Sequence, residues 1–319
     1  MHDVSISGTG VFTPEQKISN AELVEAFNAY ADRRNALNAD AIAAGECAPV
    51  PHSNEAFIVK ASGIESRYVL DKTGTLDPDI MHPVLPERAD DDLSVMAEMA
   101  LKAAKIALEK AGRSALDIDA VICAASNHER PYPAIAIEIQ KALGTSGAGF
   151  DMGLGCSSAL AGLHVATNLV RSGAHRRVLV VTPELITAHL NFRDRQTHFI
   201  FGDASVAVLI EALGASEERP GRFEIVDTRS WTQFSNNIRT NFGFMSRLAQ
   251  DDPSYLAMEG NLIKQNGNKV FKDVTIAGHK FIVDFLAEHG HTPETMRRFW
   301  LHQANARMNA MILKLAFGG

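Results

Sequence analysis

Cys156 lies in the run Asp151-Met152-Gly153-Leu154-Gly155-Cys156-Ser157-Ser158-Ala159. As local structure, this run reads as a strand end, a tight turn of small residues, and a helix that opens at the cysteine. A helix N-terminus carries partial positive charge, which stabilises a thiolate and lowers the thiol pKa. Its unpaired N–H groups can also hold a developing oxyanion. The expected role is that of a nucleophile. The ordinary alternative for a free cysteine is a small buried apolar residue. That alternative fits Cys123, inside an apolar run, while Cys47 in a polar loop has no evident role.

His302 closes the run Phe299-Trp300-Leu301 and opens His302-Gln303-Ala304-Asn305. Residues 298–302 read as a strand, and open α/β sheets gather their ligands at the carboxyl ends of strands. Cys156 and His302 are both expected at such ends. A cysteine with a distant histidine is the minimal pair for thiol acyl transfer, because the imidazole can act as acid, base or oxyanion donor. The remaining histidines lack a comparable context. Gly8-Thr9-Gly10 looks like half of a dinucleotide fingerprint, but the third glycine and the following helix are missing, so nicotinamide binding is rejected.

The elements that must position these residues alternate. Residues 3–8 read as a strand, 90–111 as a helix with Gly112 past its end, and 119–125 as a buried parallel strand. Then come a helix over 133–143, a strand over 147–152, a helix from Cys156 to about residue 171, and strands over 176–182 and 204–211. This order argues for a layered α/β sheet. The polar, Pro/Gly-containing stretch 213–222 marks a boundary. The pattern restarts with a strand over 223–230, a helix over 270–288, the strand 298–302 and a helix over 304–316. Residues 27–62, polar and alanine-rich, read as an inserted helical excursion with a loop over one edge.

Composition sets limits on these readings. The chain has 319 residues, of which 46% are hydrophobic and 22% charged, a soluble globular mix. A net charge of −7 makes nucleic acid a poor partner. Three cysteines suggest neither a disulfide framework nor zinc spacing. No apolar run approaches the ~18 residues of a membrane span, and the start is unlike a signal peptide. A reducing cytoplasm is the expected location.

Several short runs, in this order, are together specific although each alone is weak. They are Ser5-Ile6-Ser7-Gly8-Thr9-Gly10, Gly63-Ile64 with Arg67, Tyr132-Pro133, the Cys156 turn, Phe201-Gly202-Asp203, Val270-Phe271-Lys272 and His302-Gln303-Ala304-Asn305. The chain in which they occur resembles β-ketoacyl-acyl-carrier-protein synthase III of the thiolase superfamily. The resemblance implies a thiolase-like α/β fold with two βαβαβ-type halves packed in layers, here over 1–215 (with the 27–62 insertion) and 220–319. It implies that Cys156 takes an acyl group from a primer acyl-CoA, and that the carbanion from decarboxylated malonyl-acyl-carrier protein attacks the thioester. His302 would favour the decarboxylation. Phe57 matches an aromatic that stacks on the coenzyme A adenine, and Arg195 an arginine that contacts the nucleotide. A second such arginine is replaced by Ala61, with Lys60 beside it. Asn305, within the histidine motif, is grouped with Phe57 and Arg195 as a coenzyme A contact. Tyr132 matches a residue that crosses a dimer interface to shape the partner's acyl pocket, so a homodimer is expected. Acyl-CoA enters as substrate, and no further cofactor or metal is implied.

The family's catalytic asparagine, in a Gly-Asn-Thr/Ser motif, has no match between His302 and Gly319. The second half is therefore expected to be incomplete in the sequence given, an incomplete record rather than an inactive chain. A chain ending at Gly319 is expected to lack full condensing activity. Competing readings are another thiolase-fold acyltransferase (hydroxymethylglutaryl-CoA-synthase-like or head-to-head condensing), a catalytically dead partner subunit, and, less favoured, a cysteine protease.

Overall fold

The structure is a computed structural model that describes residues 2–213, 221–240 and 262–318. A six-stranded mixed sheet organises the first part of the chain. Its strands are β1 (Val4–Phe12), β4 (Ala120–Ala124), β5 (Ala148–Met152), β6 (Arg177–Leu185), β7 (Asp203–Ala212) and β8 (Phe223–Glu224). Their spatial order is β5-β4-β6-β7-β1-β8. Strands β5, β4 and β6 run parallel, and the β6–β7, β7–β1 and β1–β8 pairs are antiparallel.

The pleat of β4 explains why it is apolar throughout. Val121 and Cys123 join one core with α5 (Val95–Ala111) and α6 (Ile135–Leu143). Ala120, Ile122 and Ala124 join a second core on the opposite face with α7 (Ser158–Arg171). A strand buried on both faces has no polar side to present.

Gly8 and Gly10 serve this packing. A Cβ on either would stand 2.1 Å from the Ala107 carbonyl oxygen or 2.0 Å from that of Ala103, both on α5. The alanine-rich face of α5 and the two glycines together let helix and strand approach closely. The helix itself begins at Val95, because the Ser94 hydroxyl caps the Ala97 amide at 3.1 Å. The acidic run Asp90–Asp92 therefore lies before the helix rather than in its first turn.

The region expected as an insertion contains a second small core. Helix α1 (Asn20–Leu37) starts with a Ser19–Glu22 capping box. It is followed by α2 (Ala39–Ala43) and α3 (Glu55–Ser62), near the two-stranded ribbon of β2 (Gln16–Ser19) and β3 (Ser66–Val69). Leu23, Phe27, Ile58 and Val69 bury here against Leu190, Phe192 and Phe199. A short helix α4 (Lys72–Leu76) follows.

Beyond the boundary, β8 is two residues long rather than a strand over 223–230. A short ribbon of β9 (Ile238–Arg239) and β10 (Lys264–Gln265) precedes α8 (Gly267–Glu288) and α9 (Ala306–Ala316). Residues 298–302 do not form the expected strand. A strand needs a neighbour for its N–H and C=O groups, and none of the described strands pairs with this segment. His302 therefore sits in irregular chain, not at a strand end. Part of the boundary stretch, 214–220, lies outside the described residues.

Candidate active site

The turn that carries Cys156 hangs over the carboxyl ends of β4 and β5. Gly155 takes φ +55°, a left-handed conformation that suits glycine. Helix α7 starts two residues later than the sequence suggests, at Ser158, because the buried Ser158 hydroxyl is drawn into the turn. Its Oγ accepts from the Leu154 amide at 2.8 Å and lies 2.7 Å from the Gly155 carbonyl and 3.0 Å from the Ala125 carbonyl. The Ala125 amide in turn donates to the Met152 carbonyl at 3.2 Å. These bonds fix the cysteine just outside the first turn of α7.

The electrostatics differ from the expectation of a lowered thiol pKa. Solvent reaches Cys156, yet the protein atoms crowded around the thiol push it up, and the Glu184 carboxylate adds to that. The residue's own backbone N–H opposes the shift without overcoming it. Cys123 is fully buried and its thiol is pushed well up by burial, as suits an inert packing residue.

His302 is exposed at one side, and desolvation on its protein side lowers its pKa, so the imidazole is neutral at neutral pH. Among the described residues no hydrogen bond joins it to Cys156. Its carbonyl accepts from the Asn309 side chain at 3.0 Å. Asn305 caps α9, with Oδ1 accepting from the Arg307 and Met308 amides at 3.0 and 3.1 Å, while its Nδ2 donates to the Ala61 carbonyl at 2.8 Å. The histidine motif is thus tied to the end of α3.

The structure brings Phe57 and Arg195 together. The guanidinium lies 3.8 Å from the ring centroid, and Arg195 Nε donates to the His52 carbonyl at 2.8 Å. Phe199 meets the Phe57 ring edge-on at 5.7 Å. Tyr132, just before α6, is 81% exposed.

Phe201-Gly202-Asp203 proves to be scaffold. A Cβ on Gly202 would sit 2.5 Å from the Tyr68 carbonyl oxygen. Asp203 accepts from the Leu70 and Thr187 amides and the Thr187 hydroxyl at 2.8 to 3.0 Å. Arg67 is buried and binds the Ile18 and Phe199 carbonyls and Asn20 Oδ1; burial holds its pKa down to about 10.

Sequence reasoning missed two features. One is Glu184, a carboxylate that follows the apolar run Val178–Val181 of β6; that break in the pattern was its signal. The other is a cavity of about 450 Å³ walled by residues that include Met81, Glu184, Ile186, Leu190 and Phe192. It is assembled from segments far apart in the chain, so no local spacing announces it. Cys123, His128 and Asp151 also converge, their candidate ligand atoms within 4.8 Å of one another. Both Asp151 oxygens accept from the first amides of α6, and His128 Nε2 faces the Cys123 carbonyl, which accounts for the cluster without a metal ion.

No helix among the described residues is long and apolar enough to cross a membrane. The family model for 3-oxoacyl-[acyl-carrier-protein] synthase III matches residues 150–228, the stretch that holds Cys156, Glu184 and Arg195. A β-ketodecanoyl-[acyl-carrier-protein] synthase of Pseudomonas aeruginosa is 49% identical over 295 residues, covering 92% of this chain and 83% of that protein. A β-ketoacyl-[acyl-carrier-protein] synthase III of Bartonella bacilliformis is 30% identical over 264 residues, covering 82% and 73%. The crystal structure of 3-oxoacyl-[acyl-carrier-protein] synthase III from Aquifex aeolicus superposes with a TM-score of 0.73 at 21% identity, covering 98% of this chain and 81% of that one, and so shares the thiolase fold. On the strength of the Bartonella and Pseudomonas relatives and the family model together, the chain belongs to the β-ketoacyl-[acyl-carrier-protein] synthase III family of condensing acyltransferases of fatty acid biosynthesis.

Proposed function

We propose that the protein condenses a primer acyl-CoA with malonyl-acyl-carrier protein through an acyl group carried on Cys156. The observation that carries this reading is the placement of Cys156 on a hydrogen-bonded turn at the carboxyl ends of the parallel strands β4 and β5. In the first half-reaction the Cys156 S–H bond breaks and Sγ bonds to the acyl carbonyl carbon. The carbon–sulfur bond to coenzyme A breaks, and the coenzyme A sulfur takes the proton. In the second, the malonyl carboxylate leaves as carbon dioxide, the resulting carbanion bonds to the acyl carbon, and the carbon–sulfur bond to Cys156 breaks, returning a thiolate that takes a proton from solvent. A neutral His302 has an N–H to offer the malonyl thioester oxygen as it gains enolate charge.

Phe57 and Arg195 serve the nucleotide end of the primer, with the adenine entering where the two side chains now stack. Asn305 acts here by holding the His302 segment against α3. Met81, Ile186, Leu190 and Phe192 give the cavity an apolar side that an alkyl chain could follow, opposite polar walls that include Asn127 and Glu129. We assign the primer a medium length, that whose two-carbon extension gives the β-ketodecanoyl group in the name of the Pseudomonas relative.

The working unit is a homodimer. Among the described residues strand β5 is the last strand of its sheet on one side, and Tyr132, Ile137, Leu154 and Leu160 nearby are 81%, 48%, 44% and 70% exposed, an apolar set that a second copy would cover. Intact-mass spectrometry after mixing with acyl-CoA primers of graded length tests the acylation. A stable adduct of the acyl mass, largest for medium chains and absent in Cys156→Ser, is expected. Adducts that map to Cys47 or Cys123 would overturn the assignment.

A further inference from the structure

Asn127, His128 and Glu129 follow β4 directly and wall the cavity. The stretch they belong to is also bonded to the nucleophile's turn. The Ala125 carbonyl lies 3.0 Å from Ser158 Oγ, and the Ala125 amide donates to the Met152 carbonyl at 3.2 Å. One short piece of chain thus leads from the Cys156 turn to the polar side of the cavity.

Most polar groups on that side are already engaged within the protein. Glu129 accepts from the Val95 and Met96 amides at 3.3 and 2.6 Å. Ser126 holds Glu184 through its N–H at 2.9 Å and through its hydroxyl. Asn191 Oδ1 accepts from the Arg193 amide at 3.0 Å, and the Arg193 guanidinium donates to the Asp79 and Ile80 carbonyls at 3.3 and 3.0 Å. Asn127 differs. It is half-buried, and among the described residues its side-chain amide forms no hydrogen bond. His128 Nε2 lies 3.3 Å from the Cys123 carbonyl. A carbonyl only accepts, so in the neutral ring Nε2 carries the hydrogen and Nδ1 is left as an acceptor. An amide that both donates and accepts therefore adjoins an imidazole that accepts.

An alkyl chain laid against these two residues would strip water from them and return no hydrogen bond, and leaving such groups unpaired is the costly part of the contact. A hydroxyl on the chain can accept from the Asn127 amide and donate to an acceptor beside it. Largely apolar pockets use a few placed polar groups in this way to choose and orient a ligand. We propose that the cavity selects a hydroxylated medium-chain acyl primer whose hydroxyl is bound by Asn127, with His128 Nδ1 as its second partner. The proposal rests on the reading that the primer chain occupies this cavity. A neutral oxygen suits the wall better than a carboxylate does. Glu129 and Glu184 stand close by, and the Arg193 guanidinium is turned to the backbone of Asp79 and Ile80. The thioester exchange on Cys156 is the same for either primer; the hydroxyl only fixes the chain.

The test compares rates of Cys156 acylation, followed by intact-mass spectrometry, for a set of primers of one length. They are octanoyl-CoA, its forms hydroxylated next to the thioester end, at mid-chain or at the penultimate carbon, and the form with a terminal carboxylate. At least one hydroxylated primer should acylate about tenfold faster than octanoyl-CoA at equal, sub-saturating concentration. In Asn127→Leu that advantage should vanish, and octanoyl-CoA should react faster than on the unsubstituted chain, because its chain then meets an apolar wall. A general disturbance of the fold slows every primer together and leaves the ratio in place. Hydroxylated primers no faster than octanoyl-CoA, a preference for the terminal carboxylate, or a hydroxyl preference that survives in Asn127→Leu overturns the proposal. Should Asn127→Leu fail to fold, Asn127→Ala reads the same ratio. Acylation by octanoyl-CoA in any of these outcomes leaves the acyl-enzyme reading intact, whereas absence of an adduct with every primer would defeat that reading and this proposal together.

Discussion

Asn305 donates from Nδ2 to the Ala61 carbonyl across the gap between α9 and α3, at 2.8 Å. The same side chain caps α9 through Oδ1. One residue thus holds a helix start and docks the His302 segment on the helix that bears Phe57. Asn305→Ala removes both functions, and cap loss alone costs ~1 kcal/mol. Asn305→Asp keeps the cap acceptor and loses only the donor. Thermal melts should rank the unsubstituted chain first, then Asn305→Asp, then Asn305→Ala. Equal melting of all three would show that neither bond matters.

The Arg195–Phe57 stack predicts a split between donors. The guanidinium now covers the ring at 3.8 Å, a contact worth ~0.5–1 kcal/mol at a partly exposed site. An adenine must displace or share that contact. Arg195→Ala should raise the KM for acyl-CoA several-fold and leave the KM for an acyl-pantetheine donor, which has no nucleotide, unchanged. Steady-state acylation with the two donors decides it; an equal rise for both would place Arg195 in general folding rather than in nucleotide contact.

These two pairs show what was legible in the sequence. Phe57 and Arg195 lie far apart in the chain and were found through motif resemblance; the fold then put them face to face. The order of strands and helices in the first half was readable because β4 and α5 follow simple apolar periods. Residues 298–302 misled because an apolar run states burial, and pairing depends on a neighbour that the run cannot reveal. The start of α7 was misplaced by two residues because the sequence does not show that Ser158 Oγ is occupied within the turn. The raised thiol was missed for a related reason. The positive helix end is local and visible, whereas the burial that raises the thiol, with the Glu184 carboxylate adding to it, comes from chain brought in by the fold.

His198 gives a pH prediction. It is fully buried, stacked on Phe27 at 4.6 Å and edge-on to Phe199 at 5.3 Å. Burial, with Arg67 and Arg195 nearby, lowers its pKa to about 4 from 6.5. The folded state favours the neutral ring, so its contribution is fully present above pH 6.5 and is lost as pH falls from there through about 4. The maximum effect is about 3 kcal/mol. Glu22, drawn down to about 2 from 4.5 by Lys72 and Ser19, acts in a lower window. Denaturant unfolding at pH 7 and 5 should show a clear loss of stability for the unsubstituted chain and a smaller one for His198→Phe. An unchanged slope in that variant would reassign the loss to other groups.

On the proposed mechanism, replacing His302 should separate the two half-reactions. Acyl transfer from coenzyme A needs the thiol and a place for the primer, and no described hydrogen bond makes Cys156 depend on His302 for its orientation. The malonyl step needs a donor at the developing enolate, and the lowered pKa of His302 leaves a neutral ring to supply one. Removing a single such donor typically costs ~10²–10³ in rate. His302→Ala should therefore gain the acyl mass on Cys156 at close to the unsubstituted rate, while release of labelled carbon dioxide from malonyl-acyl-carrier protein falls by about two orders of magnitude relative to the unsubstituted chain. His302→Gln, which retains an N–H, should recover part of that loss. If acylation and decarboxylation fall together in both variants, His302 belongs to the acylation machinery and the division of labour drawn here is wrong.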